Sequence, residues 1–121
     1  MPIQQMLLGL GALDKFELWY WGGGQNPYGQ SAQNDNVKYS SPVQIGSDTN
    51  WSTIGVGGNT TTVYATKSNG TLWAWGRSDD GSLGNNTGPG QGDGVSSPVQ
   101  IPGTDWAGAA GTRNVGFAVK T

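Results

Sequence analysis

The carboxylates are the side chains of this chain best suited to catalysis, and their spacing offers no catalytic pair. The sequence contains no histidine and no cysteine, so the commonest general base and the thiolate nucleophile are both missing. Asp79 and Asp80 are adjacent, but no further acid follows at the spacing of a glycosidase pair. A calcium site made by Asp79, Asp80 and Asp93 is an alternative, although their order fits no known calcium loop. We therefore expect no catalytic residue, no metal and no cofactor.

Aromatic rings offer a second chemistry, the stacking of a ring on a sugar. Four of the tryptophans recur at matched positions of an internal repeat, so we expect them to pack in a core: Trp21, Trp51, Trp75 and Trp106. Tyr28 and Tyr39 lie in a loop-like segment and are the aromatic residues most expected to be exposed. They are the candidate contacts for a glycan ligand.

The internal repeat organises almost the whole chain. The phrase SSPVQI stands at residues 40–45 and again at 96–101. The pattern Leu-Trp-x-Trp-Gly occurs at 18–22 and at 72–76, and a further tryptophan follows each SSPVQI. A period of roughly 50 residues is typical of propellers and arrays.

Each repeat contains four short strand candidates. In the central unit they are residues 51–57, 62–67, 71–76 and 96–101. The sequence Ser-Asn-Gly at 68–70 predicts a tight hairpin turn, because Asn and Gly accept a positive φ. Pro98 lacks a backbone donor, so the fourth strand is expected at a sheet edge. The prediction is an all-β chain of propeller blades, each with four antiparallel strands.

Composition and charge exclude several partners. The net charge is −2 and the basic residues are scattered singly, which argues against nucleic-acid binding. The apolar run at residues 6–13 is too short for a membrane span and has no basic residue before it, as a signal peptide would. We expect residues 1–16 to form an arm that docks on another chain or blade.

The repeat resembles that of the regulator of chromosome condensation family. The marks are GTLWAWG at 70–76, Leu83 and Gly84, SSPVQI at 96–101 and FAVK at 117–120, in that order. The resemblance implies a β-propeller that serves as a protein-interaction platform; the founding type is a guanine-nucleotide exchange factor bound to chromatin. The usual histidine of the repeat is absent here, where Thr61 and Thr62 stand instead. That departure weakens the exchange-factor interpretation.

The domain organisation follows the repeat. We predict an arm at 1–16, half a blade at 17–45, a full blade at 51–101 and half a blade at 105–120. The favoured interpretation is a segment of a larger propeller. The alternative is a head-to-tail ring, in which residues 115–120 of one copy pair with 18–21 of a neighbour.

The predicted function is a non-enzymatic structural or protein-interaction module. The start of the chain, residues 1–9, resembles structural proteins of marine tailed phages, so we expect a virion tail, fibre or decoration protein. The expected partners are other protein subunits, including further copies joined through strand edges. A glycan-binding propeller for host adsorption and a guanine-nucleotide exchange or chromatin-binding factor are the alternatives.

Overall fold

All regular elements of the described chain are β-strands. The computed structural model describes residues 15–22, 27–55, 62–77, 81–85, 94–111 and 115–121. Its strands are β1 (Trp19–Gly22), β2 (Tyr39–Gln44), β3 (Trp51–Gly55), β4 (Thr62–Lys67), β5 (Leu72–Gly76), β6 (Val95–Ile101), β7 (Trp106–Gly111) and β8 (Gly116–Lys120). The predicted all-β class is confirmed. Most of the predicted arm, residues 1–14, lies outside the described residues.

The strands form three antiparallel sheets. We call them the first sheet (β1–β2), the central sheet (β3–β4–β5–β6) and the third sheet (β7–β8). The central sheet confirms the predicted blade of four antiparallel strands. Its β4–β5 hairpin closes through the predicted turn, where Gly70 has a φ of 83° and the Gly70 N–H donates to the Lys67 carbonyl at 3.0 Å. Pro98 lies in β6, the edge strand of this sheet.

The β1–β2 ladder repeats the register of the β5–β6 ladder. Trp19 lies opposite Gln44 in β1–β2, and Trp73 lies opposite Gln100 in β5–β6. Both ladders then shift register before the glycine that ends the first strand of the pair. Trp21 and Trp75, which precede those glycines, therefore occupy equivalent positions in successive sheets.

The β3–β4 and β7–β8 ladders are equivalent in the same way. Trp51 lies opposite Lys67, and Trp106 lies opposite Lys120. A register shift follows each tryptophan, after which the pairing continues residue by residue. A mutation or contact in one of these ladders can therefore be compared with its counterpart in the other.

The sheets pack face to face, and two apolar clusters lie between them. Trp51, Ala65 and Trp75 of the central sheet pack with Ile45 and other residues of the first-sheet region. We call this the first contact. On the opposite face, buried Tyr64 and Leu72 form a cluster against which Trp106 and Ala109 of the third sheet pack. We call this the second contact.

The inner strands approach each other closely at the second contact. A Cβ atom on Gly55 of β3 would lie 1.6 Å from the carbonyl oxygen of Ala109 in β7. No side chain fits there, so glycine is required where these two backbones meet.

Across the described residues, no helix of the length and hydrophobicity needed to traverse a bilayer occurs.

Candidate interaction faces

The first contact contains a fully buried tryptophan, Trp75, which is surrounded by apolar side chains and has one polar group, a backbone carbonyl, beside its N–H. The Trp75 side chain is 0% exposed, and its Nε1–H donates to the Gln30 carbonyl at 2.8 Å. Its ring meets Trp51 edge to face, with centroids 6.2 Å apart. The hydrogen bond satisfies the one polar atom of the indole, so the whole ring can be buried without an unpaired donor.

A tight turn between β1 and β2 supplies that carbonyl, and the central sheet carries a second copy of the turn. In the first, the Ala32 N–H donates to the Gly29 carbonyl at 3.0 Å; in the second, the Gly84 N–H donates to the Gly81 carbonyl at 3.2 Å. Both turns begin and end with a residue of positive φ: 73° and 58° in the first, 73° and 65° in the second. The receptor for Trp75 therefore recurs one repeat later.

The second contact has an open cavity at the recurring turn. Its volume is about 290 Å³, and its wall is largely apolar. The lining includes Tyr64, Leu72, Ser82, Ile101 and Ala118. The Tyr64 hydroxyl donates to the Ser82 carbonyl, so one polar group of the wall already has a partner.

The outer faces of the first and third sheets are apolar and exposed. Trp21 on β1 is 62% exposed, and Phe117 on β8 is 66% exposed. Among the described residues, β1 pairs only with β2, and β8 pairs only with β7. Within the part of the chain that the structure describes, each outer sheet therefore combines an uncovered apolar face with an unpaired strand edge.

Comparison with protein families identifies the repeat. Residues 69–113 match the model of the Regulator of chromosome condensation (RCC1) repeat. This segment of the chain is similar to an RCC1 repeat. A search of the curated proteins finds no match to the chain. The RCC1 repeat indicates a propeller fold that generally serves protein interaction and is generally not catalytic. The predicted family resemblance is confirmed for residues 69–113.

The four recurring tryptophans differ in how deeply they are buried. Trp51 is buried beside Trp75, whereas Trp106 is half-buried at the cavity of the second contact. Trp21 lies on the outer face of the first sheet. No described residue covers it there, and its side chain is exposed to solvent. The assignment of all four to a propeller core remains a prediction, and for Trp21 it requires a further surface.

A lysine at the end of β4 contacts two of the tryptophan rings. The Lys67 Nζ lies 4.8 Å from the Trp51 ring centroid and 4.3 Å from that of Trp73. It also pairs with the Asp48 carboxylate at 2.5 Å. The third sheet repeats half of this arrangement, since the Lys120 Nζ lies 4.7 Å from the Trp106 centroid.

The two candidate glycan contacts have different environments. Tyr28 is half-buried beside the first turn, and the Arg77 guanidinium lies 5.7 Å from its ring centroid. Tyr39 begins β2, and its hydroxyl donates to Asp35 Oδ2 at 2.6 Å. That hydrogen bond to a carboxylate raises the pKa of Tyr39. Their role in ligand contact remains a prediction.

The candidate calcium ligands cannot be placed. Asp79, Asp80 and Asp93 lie outside the described residues. Within the described part of the chain, no group of three or more acidic side chains is arranged to hold a metal ion.

Proposed function

We propose that the chain is a non-enzymatic interaction module that joins protein subunits, copies of itself included, through the outer faces of its first and third sheets. The observation that carries the proposal is the exposure of large apolar side chains on both outer faces, such as Trp21 and Phe117. Contiguous apolar patches on a soluble protein mark interaction sites. Unpaired strand edges beside them provide backbone donors and acceptors for a partner strand.

The internal packing of the chain supports this proposal. The positions that are exposed on the outer faces are the positions that are buried between sheets within the chain. Trp21 is equivalent to Trp75, and Phe117 is equivalent to the buried Tyr64. A repeat of this kind buries its apolar faces only by stacking on neighbours.

Sedimentation velocity on the full chain tests the proposal. We expect a concentration-dependent assembly, and we expect Val119→Lys to dissociate it because Val119 is exposed on β8. Val37→Lys is the matched control, since Val37 is similarly exposed but lies between β1 and β2. A chain that stays monomeric at every concentration reached, or that dissociates equally with either lysine, would contradict the proposal.

A narrower role in a virion, as a tail, fibre or decoration protein, is part of the proposal. Its support is the resemblance of residues 1–9 to structural proteins of marine tailed phages. Immunogold labelling of purified tailed-phage particles with an antibody against the chain tests it. Label found only in particle-free cell fractions would contradict the virion role and leave the interaction module intact.

Glycan binding is the second candidate, and the Tyr39–Asp35 pair favours it. A half-buried ring beside a carboxylate combines stacking with hydrogen bonding, which is the chemistry that sugar recognition uses. Glycan-array binding that is lost in Tyr39→Ala would support it. Accelerated nucleotide release from a small GTPase would instead support the exchange-factor alternative.

A further inference from the structure

The cavity of the second contact repeats the site that holds Trp75 in the first contact. Three residues around Trp75 have counterparts in the cavity wall at the same repeat positions. The pairs are Leu18 and Leu72, Ala32 and Gly84, and Ile45 and Ile101. The two sites therefore share an apolar wall, but only the first contains an indole ring at the Trp75 position; the Trp106 ring that lines the second cavity is the equivalent of Trp51.

The polar cap of the site also recurs. Gln30, whose carbonyl accepts from Trp75 Nε1–H, is the second residue of its turn, and Ser82 is the second residue of the repeated turn. The Ser82 carbonyl accepts from the Tyr64 hydroxyl, and a carbonyl oxygen has a second lone pair. It can accept the N–H of an incoming indole as well.

The cavity is large enough for the ring. It measures about 290 Å³, whereas an engineered apolar cavity of about 150 Å³ binds benzene. Since one wall residue is Ala118 of β8, a ligand that lies beside β8 can reach the cavity.

From these observations we infer that the cavity is an indole-binding site and that its occupant is Trp21 of a second copy of this chain. This inference rests on the proposed function and names the partner of the third sheet. Trp21 is the register equivalent of Trp75 and is largely exposed, so each chain presents both an indole and a receptor. Such a contact is head to tail, and it generates a ring or an open filament.

The central sheet predicts the strand register of this contact. There Ala65 lies opposite Trp73, and Val63 lies opposite Trp75. Ala118 occupies the place of Ala65, because each pairs with the equivalent residue of the inner strand. Ala118 should therefore lie opposite Trp19 of the second copy, which places Trp21 opposite Gly116. A Cβ on Gly116 would lie 2.6 Å from the Tyr64 hydroxyl, so the indole would lie beside that hydroxyl.

Disulfide trapping tests the register. Because the sequence contains no cysteine, only the introduced thiols can form a disulfide. Opposed residues of an antiparallel pair lie within disulfide range. Mixing the Trp19→Cys and Ala118→Cys chains should give a covalent dimer under mild oxidation. Tyr20→Cys mixed with Ala118→Cys is the control, because Tyr20 points to the other face and should not cross-link. Equal cross-linking of both mixtures overturns the register.

Truncation of the indole tests the site itself. Trp21→Ala should weaken self-association by about 30-fold or more, as hot-spot tryptophans do. Trp19→Ala should weaken it less, because its counterpart Trp73 is only partly buried. Ala118→Trp, which fills the cavity from within, should also block association. If Val119→Lys dissociates the assembly but Trp21→Ala does not, the interaction module stands and the indole site is wrong.

A peptide with the sequence of residues 17–22 separates the site from its occupant. It should bind the Trp21→Ala chain, and the same peptide with alanine at the second tryptophan should not. Peptide binding by a chain that never self-associates overturns the second copy as the occupant. A chain that neither binds the peptide nor self-associates overturns the indole site and the proposed function together.

Discussion

Trp75 and Trp21 occupy the same place in the repeat and have opposite environments. Trp75 is 0% exposed, whereas Trp21 is 62% exposed. The first sheet covers Trp75, and the Gln30 carbonyl accepts a hydrogen bond from its indole N–H. The outer face that carries Trp21 has no such cover from the described residues. The burial of a residue in a repeat is therefore decided by the neighbouring unit as much as by the residue itself.

The two contacts of the central sheet differ in the same respect. The first contact is filled by the Trp75 ring, whereas the second retains a cavity beside Tyr64 and Ser82. The walls are built from the same repeat positions, so composition does not explain the difference. What differs is which strands meet: β5, which carries Trp75, faces the first contact, whereas the described part of the third sheet consists of β7 and β8, the equivalents of β3 and β4, and neither carries a tryptophan at the Trp75 position.

Removing the buried indole should produce the largest effect. Trp75→Ala is expected to lower the free energy of unfolding by about 3–5 kcal/mol, because it leaves a cavity and an unpaired Gln30 carbonyl. Trp21→Ala, measured in dilute solution where the chain is dissociated, should change it by about 0.5 kcal/mol or less. Urea unfolding followed by circular dichroism measures both.

Trp75→Phe is the control that separates the contribution of the buried ring from that of the hydrogen bond to Gln30. It retains most of the apolar area and loses the N–H, so its cost should lie between those of the two alanine variants. Equal costs for Trp75→Ala and Trp21→Ala would show that the first contact contributes no more than an open face.

The strands were predictable from the sequence because local signals agree there. Alternation, the Ser-Asn-Gly turn and the edge proline place β4, β5 and β6 close to their observed bounds. The same signals apply to both repeats, since the register of each ladder recurs. Local sequence is sufficient where each strand pairs with its sequence neighbour.

The receptor turn was not predicted, and the reason is conformational. Gly81 and Gly84 give a visible glycine signal, but the first turn ends with Ala32 at a φ of 58°. A left-handed alanine is unfavourable, so nothing in the sequence indicates one. The exposure of Trp21 was also beyond prediction, because it depends on which chain lies next to the first sheet.

The second contact contains a buried ionisable group, the Tyr64 phenol, so the stability of this contact should depend on pH. Burial raises the pKa of Tyr64, so the folded chain keeps a phenolic proton that the unfolded chain releases near pH 10. The contribution of this phenol to the free energy of unfolding is fully present below about pH 10, the pKa in the unfolded chain. It decreases as the pH rises toward the pKa in the folded chain, by up to about 1.4 kcal/mol per pH unit. Unfolding in urea from pH 9 to 11 measures the slope.

Tyr64→Phe should remove this part of the alkaline slope and cost about 1 kcal/mol at neutral pH, where the hydrogen bond to Ser82 is lost. Tyr20→Phe is the control, because Tyr20 lies on β1, away from the second contact, and its hydroxyl donates to the Gly22 carbonyl. An unchanged slope in Tyr64→Phe would mean that the phenol ionises without opening the second contact.

The two lysines that lie on tryptophan rings allow a comparison between the central and third sheets. Lys67 contacts two rings and the Asp48 carboxylate, and only 9% of its side chain is exposed. Lys120 lies over Trp106 alone. Cation–π attraction contributes about 0.5–1 kcal/mol at an exposed site and about 2 kcal/mol when desolvated. Lys67→Met should therefore lower the free energy of unfolding by about 1–2 kcal/mol, and Lys120→Met by about 0.5 kcal/mol.

Methionine keeps the apolar stem in place, so the difference between the two variants reports the charge and not the packing. Asp48→Asn separates the ion pair from the ring contacts: because Asp48 is 55% exposed, solvent screens the pair and the loss should stay below that of Lys67→Met. Added salt should weaken the Asp48 contribution but leave the ring contribution almost unchanged. If Lys67→Met and Lys120→Met cost the same, the second ring adds nothing. If assembly raises the cost of Lys120→Met to that of Lys67→Met, Trp19 of a second copy has supplied the missing ring, since Trp19 is the equivalent of Trp73.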